Sequence, residues 1–229
     1  MDPTGNTFRD RIIIRKMLPM AILVLAVIGL MLGQAADRRL SGISVESMPD
    51  RNNLLLPELL DGDIVFRKGR SLVSAVVMMN DPSTAYSHVG IVIHIDGEPF
   101  VVHAVPGEPD ENGEEIVRCD KTADFLSIDK ASRYAVYRLC RDTAGFSARA
   151  ASKAMEYYEK KLAFDKAFDI RSDERLYCTE LVWKAYLSSG INLTGNRFTQ
   201  LSMNLLADSL ILPGQLIHSN LLKEILLNH

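Results

Sequence analysis

Cysteine is scarce in this chain, three residues in 229, and none falls in a CxxC or Cys/His spacing. That excludes a disulfide framework and a structural zinc site as the organising device. Basic charge is not in excess: 26 Lys and Arg stand against 29 Asp and Glu, a net −3 at pH 7. With no basic cluster interleaved with aromatics, nucleic acid is not an expected partner. Internal repeats and low-complexity stretches are absent. The acidic stretch from Pro106 to Gly113 lacks the regular oxygen spacing of a calcium loop. No cofactor and no metal is therefore expected. What is there is ordinary globular composition, 47% hydrophobic and 24% charged, enough for a sizeable core.

An uncharged run from Met17 to Gly33, rich in Leu, Ile, Val, Ala and Met, follows Arg9, Arg11, Arg15 and Lys16. Its 17 residues at about 1.5 Å each reach the short end of a bilayer span. It reads as an N-terminal membrane anchor or a signal peptide, with small residues at 33–36 as a cleavage site. Either puts the body of the protein outside the cytoplasm, periplasmic or at the cell surface, by the positive-inside tendency. Residues 1–36 thus form the hydrophobic segment, 37–56 a polar tether, and 57–229 the folded domain.

In that domain, Ile64-Val65-Phe66 predicts a short strand and residues 71–80 a short helix. Residues 87–95 alternate, with Val89, Ile91, Ile93 and Ile95 on one face and His88, Gly90, Val92 and His94 on the other. Asp96-Gly97 is a type I′ hairpin signal, and residues 100–105 form the return strand. If the turn is two residues, Ile95 opposes Glu98, His88 faces Val105 and His103 faces Gly90. His88 and His103 then share a face as diagonal neighbours, within reach of one another. A three-residue turn would separate them. His94 shares the face but sits about 20 Å along the strand from His88. Residues 106–133 read as an exposed loop, and residues 134–140 as a strand. Cys119 and Cys140 read as structural, with a disulfide between them left open.

The second half is helical. Residues 147–162 predict an amphipathic helix capped by Ser147. Cys178, Leu181, Val182 and Ala185 recur at helical spacing, with Ser172 and Asp173 as candidate caps upstream and Gly190 as the stop. A short helix is expected over 202–209, a turn over 211–214 and a helical turn or two over 221–227.

Cys178 therefore sits in the first turn of a helix, where the dipole and free N–H groups favour thiolate, the nucleophilic form. A thiol nucleophile needs an imidazole as base and then acid, and a group that orients the imidazole. Cys178, His88 and His103 are the candidates for these three roles. The Cys178 N–H would serve as an oxyanion donor, a contribution typically worth about 10²–10³ in rate.

The ordered motifs Asp61-Gly62-Asp63-Ile64-Val65-Phe66, Ser87-His88-Val89-Gly90-Ile91, Phe100-Val101-Val102-His103-Ala104 and Tyr177-Cys178-Thr179-Glu180-Leu181-Val182 resemble the circularly permuted NlpC-like cysteine hydrolases of the YiiX-like family. The resemblance covers roughly residues 57–215, including Asp165 and Leu212-Pro213. It implies an α+β, papain-like fold in which a small antiparallel sheet or barrel packs against helices and the histidine strand precedes the cysteine helix. It further implies Cys178 as nucleophile, His88 as base and His103 at the third polar position, where permuted members often carry Glu. The implied activity is hydrolysis of an amide or ester through a thioacyl-enzyme, on cell-wall peptides. A lipid-directed acyltransferase or thioesterase, and a catalytically idle binding module, are the alternatives on the same scaffold. The expected partners are a peptide or lipid-acyl substrate and the membrane.

Overall fold

Six strands make one antiparallel sheet, and their order places the two histidines side by side. The structure, a computed structural model, describes residues 56–110, 112–200 and 209–228. The expected anchor and nearly all of the tether lie outside these residues, as does most of the helix expected over 202–209. Among the described residues, no helix is long and apolar enough to cross a membrane.

The large strands are β1 (Ile64–Gly69), β2 (His88–Ile95), β3 (Glu98–His103), β4 (Arg118–Lys121) and β5 (Ala131–Leu139). Two-residue strands follow as β6 (Ala163–Phe164), β7 (Arg175–Leu176), β8 (Thr199–Gln200) and β9 (Ser209–Leu210), and β10 (Leu222–Asn228) ends the series. The sheet order is β10-β5-β1-β2-β3-β4. The β2–β3 register is the one a two-residue turn demands, with Ile95 opposite Glu98 and Ile91 opposite Val102. Asp96 and Gly97 take φ of 52° and 82°, as a type I′ turn requires.

The helices are α1 (Leu72–Asn80), α2 (Thr122–Phe125), α3 (Phe146–Glu159), α4 (Cys178–Ser189) and α5 (Pro213–Ile217). Ser71 caps α1, its Oγ accepting from the Ser74 N–H at 3.1 Å. α3 and α4 pack on each other and on β2. They cover the face that carries Ile64, Phe66, Val89, Ile91 and Val102, all fully buried. Burial of each such side chain stabilises by about 1.5–3 kcal/mol. Alternation turns Val65, Val92, Val101 and Val136 to the other face, where Phe125, Leu126 and Leu59 close a second core. Arg67, His88 and His103 point to that second face.

Several expectations are corrected. Residues 106–133 are not one loop: they contain β4 and α2, a strand and a helix of four residues each, too short for a hydrophobic period to show. Residues 222–228 form a strand instead of a helical turn, and a register shift between Glu224 and Leu226 breaks its alternation. Pro213 opens α5 where only a turn is expected. Ser147 does not cap α3: Asp142 does, accepting from the N–H groups of Phe146 at 2.6 Å and Ser147 at 2.9 Å. Cys119 and Cys140 are free thiols. Cys119 lies on edge strand β4, and Cys140 follows β5, towards the other edge of the sheet.

Candidate active site

The start of α4 is fixed by its neighbours rather than by Ser172 or Asp173. Tyr177 is the N-cap residue in extended conformation, and the Glu180 carboxylate accepts from its N–H at 3.2 Å, half of a capping box. The side chains flanking Cys178 both grip one residue. Tyr177 Oη accepts from the Ile211 N–H at 3.0 Å, and Thr179 Oγ1 donates to the Ile211 carbonyl at 2.7 Å. Upstream, Asp165 accepts from the N–H groups of Ala167 and Asp169 at 2.9 and 2.6 Å. This shapes the turn that leads into the helix.

Cys178 is half-buried. The N–H groups of Thr179 and Cys178 face its sulfur, and so does that of Val89, the residue after His88. These donors pull towards thiolate, as expected of a helix N-terminus. Burial outweighs them and pushes the thiol up to about 11. The resting cysteine is therefore protonated, and the thiolate expected from the dipole alone is not the ground state. Among the described residues, no hydrogen bond joins its sulfur to an imidazole.

The two histidines meet. His88 Nε2 lies 3.0 Å from His103 Nδ1, and the rings are edge to face with centroids 5.0 Å apart. Gly90 makes room for this. A Cβ there would lie 2.4 Å from Val101 Cγ1, 2.8 Å from the Val102 carbonyl and 3.0 Å from His103 Cβ. Phe125 packs against both rings, with centroids 5.6 and 4.9 Å away. Burial, more than any neighbour, holds His88 well below the usual imidazole range and lowers His103 too. Both rings rest neutral at pH 7. His94 takes no part: it lies at the turn end of β2, exposed, with Nδ1 2.7 Å from Asp61.

Asp120 completes the line, and sequence reading missed it. Its Oδ2 lies 3.2 Å from His103 Nε2. Its Oδ1 accepts from Arg118 Nη2 at 2.8 Å. Although burial opposes ionisation, hydrogen bonds and charges from His103 and Arg118 hold this carboxyl far below the usual carboxylate range. An ionised carboxylate can only accept. His103 therefore carries its proton on Nε2, its Nδ1 accepts, and His88 must donate from Nε2. The consequence is a lone pair on His88 Nδ1, free to accept a proton. Register alone could have exposed Asp120, since it lies diagonal to His103 across the β3–β4 pair. The loop between these strands gives no signal from which to derive that register.

Comparison with known proteins agrees with this architecture. A family model described as permuted papain-like amidase enzyme, YaeF/YiiX, C92 family, matches residues 58–226. The uncharacterized protein YiiX of Escherichia coli strain K12 is 28% identical over 127 residues, 55% of this chain and 56% of that protein. The match thus spans little more than half the length of this curated relative. A crystal structure described as metalloprotein YiiX, DUF1105, from Escherichia coli O157:H7 superposes with a TM-score of 0.60 at 22% identity. It covers 73% of this chain and 97% of the other, a likeness of fold. The family match runs from just before β1 into β10 and so takes in the whole sheet and the helices packed on it. The chain belongs to the permuted papain-like amidases of the YaeF/YiiX type, a family of cysteine hydrolases.

Proposed function

We propose that Cys178 is the nucleophile, His88 its base and acid, and His103 the residue that orients His88, in hydrolysis of an amide bond. The observation that carries this reading is the line His88–His103–Asp120, whose polarity leaves His88 Nδ1 open to a proton. Cys178 attacks the carbonyl carbon as its proton passes to His88 Nδ1. The oxyanion forms near the Cys178 N–H. The C–N bond then breaks, His88 returns the proton to the leaving amine, and a thioester remains on Cys178. Water attacks that thioester with His88 again as base, releasing the acid and the thiol. Because both partners rest neutral, proton transfer accompanies attack and no ion pair precedes it.

The Escherichia coli YiiX structure is described as a metalloprotein. Among the described residues of this chain, no three His, Cys, Asp or Glu side chains converge as a metal shell. Three of the four ring nitrogens of His88 and His103 are already engaged. No step is therefore routed through a metal.

The substrate class proposed is a cell-wall peptide, met outside the cytoplasm by a domain anchored through residues 17–33. The basic flank of that run and its length support the placement. Incubation with muropeptides should release a new amine and leave a transient acyl adduct on Cys178 by mass spectrometry, absent in Cys178→Ala. A fatty-acyl adduct from lipid in place of a peptidyl one would move the reading to acyl transfer or thioester cleavage. No adduct, with Cys178 alkylated no faster than a free thiol, would leave a binding module.

A further inference from the structure

Arg67 is a buried charge beside the histidines that the reaction above does not use. It lies on β1 directly opposite His88 and is 2% exposed. Its guanidinium stacks 4.5 Å over the Phe125 ring, the same ring that packs on His88 and His103. Nη1 donates to the Phe125 carbonyl at 3.0 Å, and Nη2 pairs with Glu108. The Nε–H is buried and has no protein acceptor. A guanidinium so placed cannot shed its proton, so its charge is a permanent feature of the site. Val89, next to His88 on the same strand, presents its N–H to the Cys178 sulfur, which puts the thiol at this end of β2 as well.

We infer that Arg67 is a positioning residue whose fixed positive charge, held between Phe125 and Glu108, stabilises the Cys178 thiolate while keeping His88 unprotonated. This rests on the reading of Cys178 and His88 as the reacting pair. The charged and titratable groups around Arg67 are Glu108 from the loop after β3, Asp120 on β4, His88, His103 and Cys178. Lys130 lies 3.6 Å from both Glu108 and Asp120 and adds a second positive charge. Arg67 acts in one direction on both reacting groups: it lowers the thiol and lowers His88. A nearby cation makes any protonation harder, whatever the group.

That common sign makes the test specific. The rate of Cys178 alkylation by a small uncharged haloacetamide is followed against pH in the full chain and in the Arg67→Met and Arg67→Lys variants. Arg67→Met should shift both the imidazole and the thiol midpoints upward, by about one pH unit, and Arg67→Lys should restore most of the shift. A purely structural role would lower the melting temperature and leave both midpoints in place. Midpoints that stay in Arg67→Met while the wild-type thiol is activated would overturn the Arg67 assignment alone. A wild-type thiol with no imidazole-linked midpoint would overturn the reaction itself. Should Arg67→Met fail to fold, Glu108→Gln supplies the converse: the guanidinium freed of its partner should move both midpoints down.

Discussion

At the scale of single residues, the decisive group is a carboxylate one side chain away from His88. Asp120 settles which nitrogen of each imidazole carries hydrogen, because an ionised carboxyl offers no donor. Asp120→Asn keeps the shape but presents an N–H as readily as an oxygen, so the line can reverse and close the lone pair on His88 Nδ1. We predict a loss of turnover of about 10²–10⁴-fold, as expected when a wrong tautomer is held in good geometry. Alkylation of Cys178 above its own midpoint should remain. A steady-state assay with alkylation measured in parallel separates the two outcomes. Sequence reading had placed the orienting duty on His103 alone, a neutral group. The structure assigns the charge to Asp120 and leaves His103 as the link.

At the scale of elements, the hairpin was legible in the sequence and the strand beside it was not. Asp96-Gly97 favours a two-residue turn over a three-residue one, and the register that this turn sets brings His88 beside His103. β4 carries Arg-Cys-Asp-Lys, with no apolar alternation, and stands beyond a loop whose length fixes nothing. β10 reads as helical because its bulge interrupts the period of two. Cys178 does sit in the first turn of α4, but the caps read from the sequence, Ser172 and Asp173, lie too far upstream, because Glu180 and Ile211 hold the helix start and neither is a local cap of the familiar kind. The hairpin also carries a prediction. Gly90→Ala places a methyl against Val101, the Val102 carbonyl and His103, so overpacking should destabilise the domain by about 1–3 kcal/mol. Denaturant unfolding measures this, and activity should fall further than stability as His103 is pushed from His88. A neutral outcome in both would mean that the strands part freely.

At the scale of the whole molecule, two neutral imidazoles inside the protein tie stability to pH. Burial lowers both in the native state, whereas the unfolded chain takes up their protons near the usual value of about 6.5. Their contribution is thus complete above that pH and is lost as pH falls below it towards the lowered native values. Asp120 is also lowered, so its contribution persists above about 3.8 and goes only in stronger acid. Glu180 acts in the opposite sense, because burial raises its carboxyl to about 8 in the native state. A melting temperature followed from pH 8 to pH 4 should therefore rise slightly down to about 6.5 and decline below it, where two imidazoles outweigh one carboxyl. A profile level or still rising at pH 5 would mean that the rings are not held neutral by burial. The spacing of the same groups along the chain has a consequence for how the molecule assembles. His88 reaches His103 across 15 positions and His103 reaches Asp120 across 17, within adjacent strands. The cysteine lies 90 positions beyond His88. Short loops close at smaller entropic loss than long ones, so bringing Cys178 to the histidine strands costs the chain more entropy than bringing His88, His103 and Asp120 to one another.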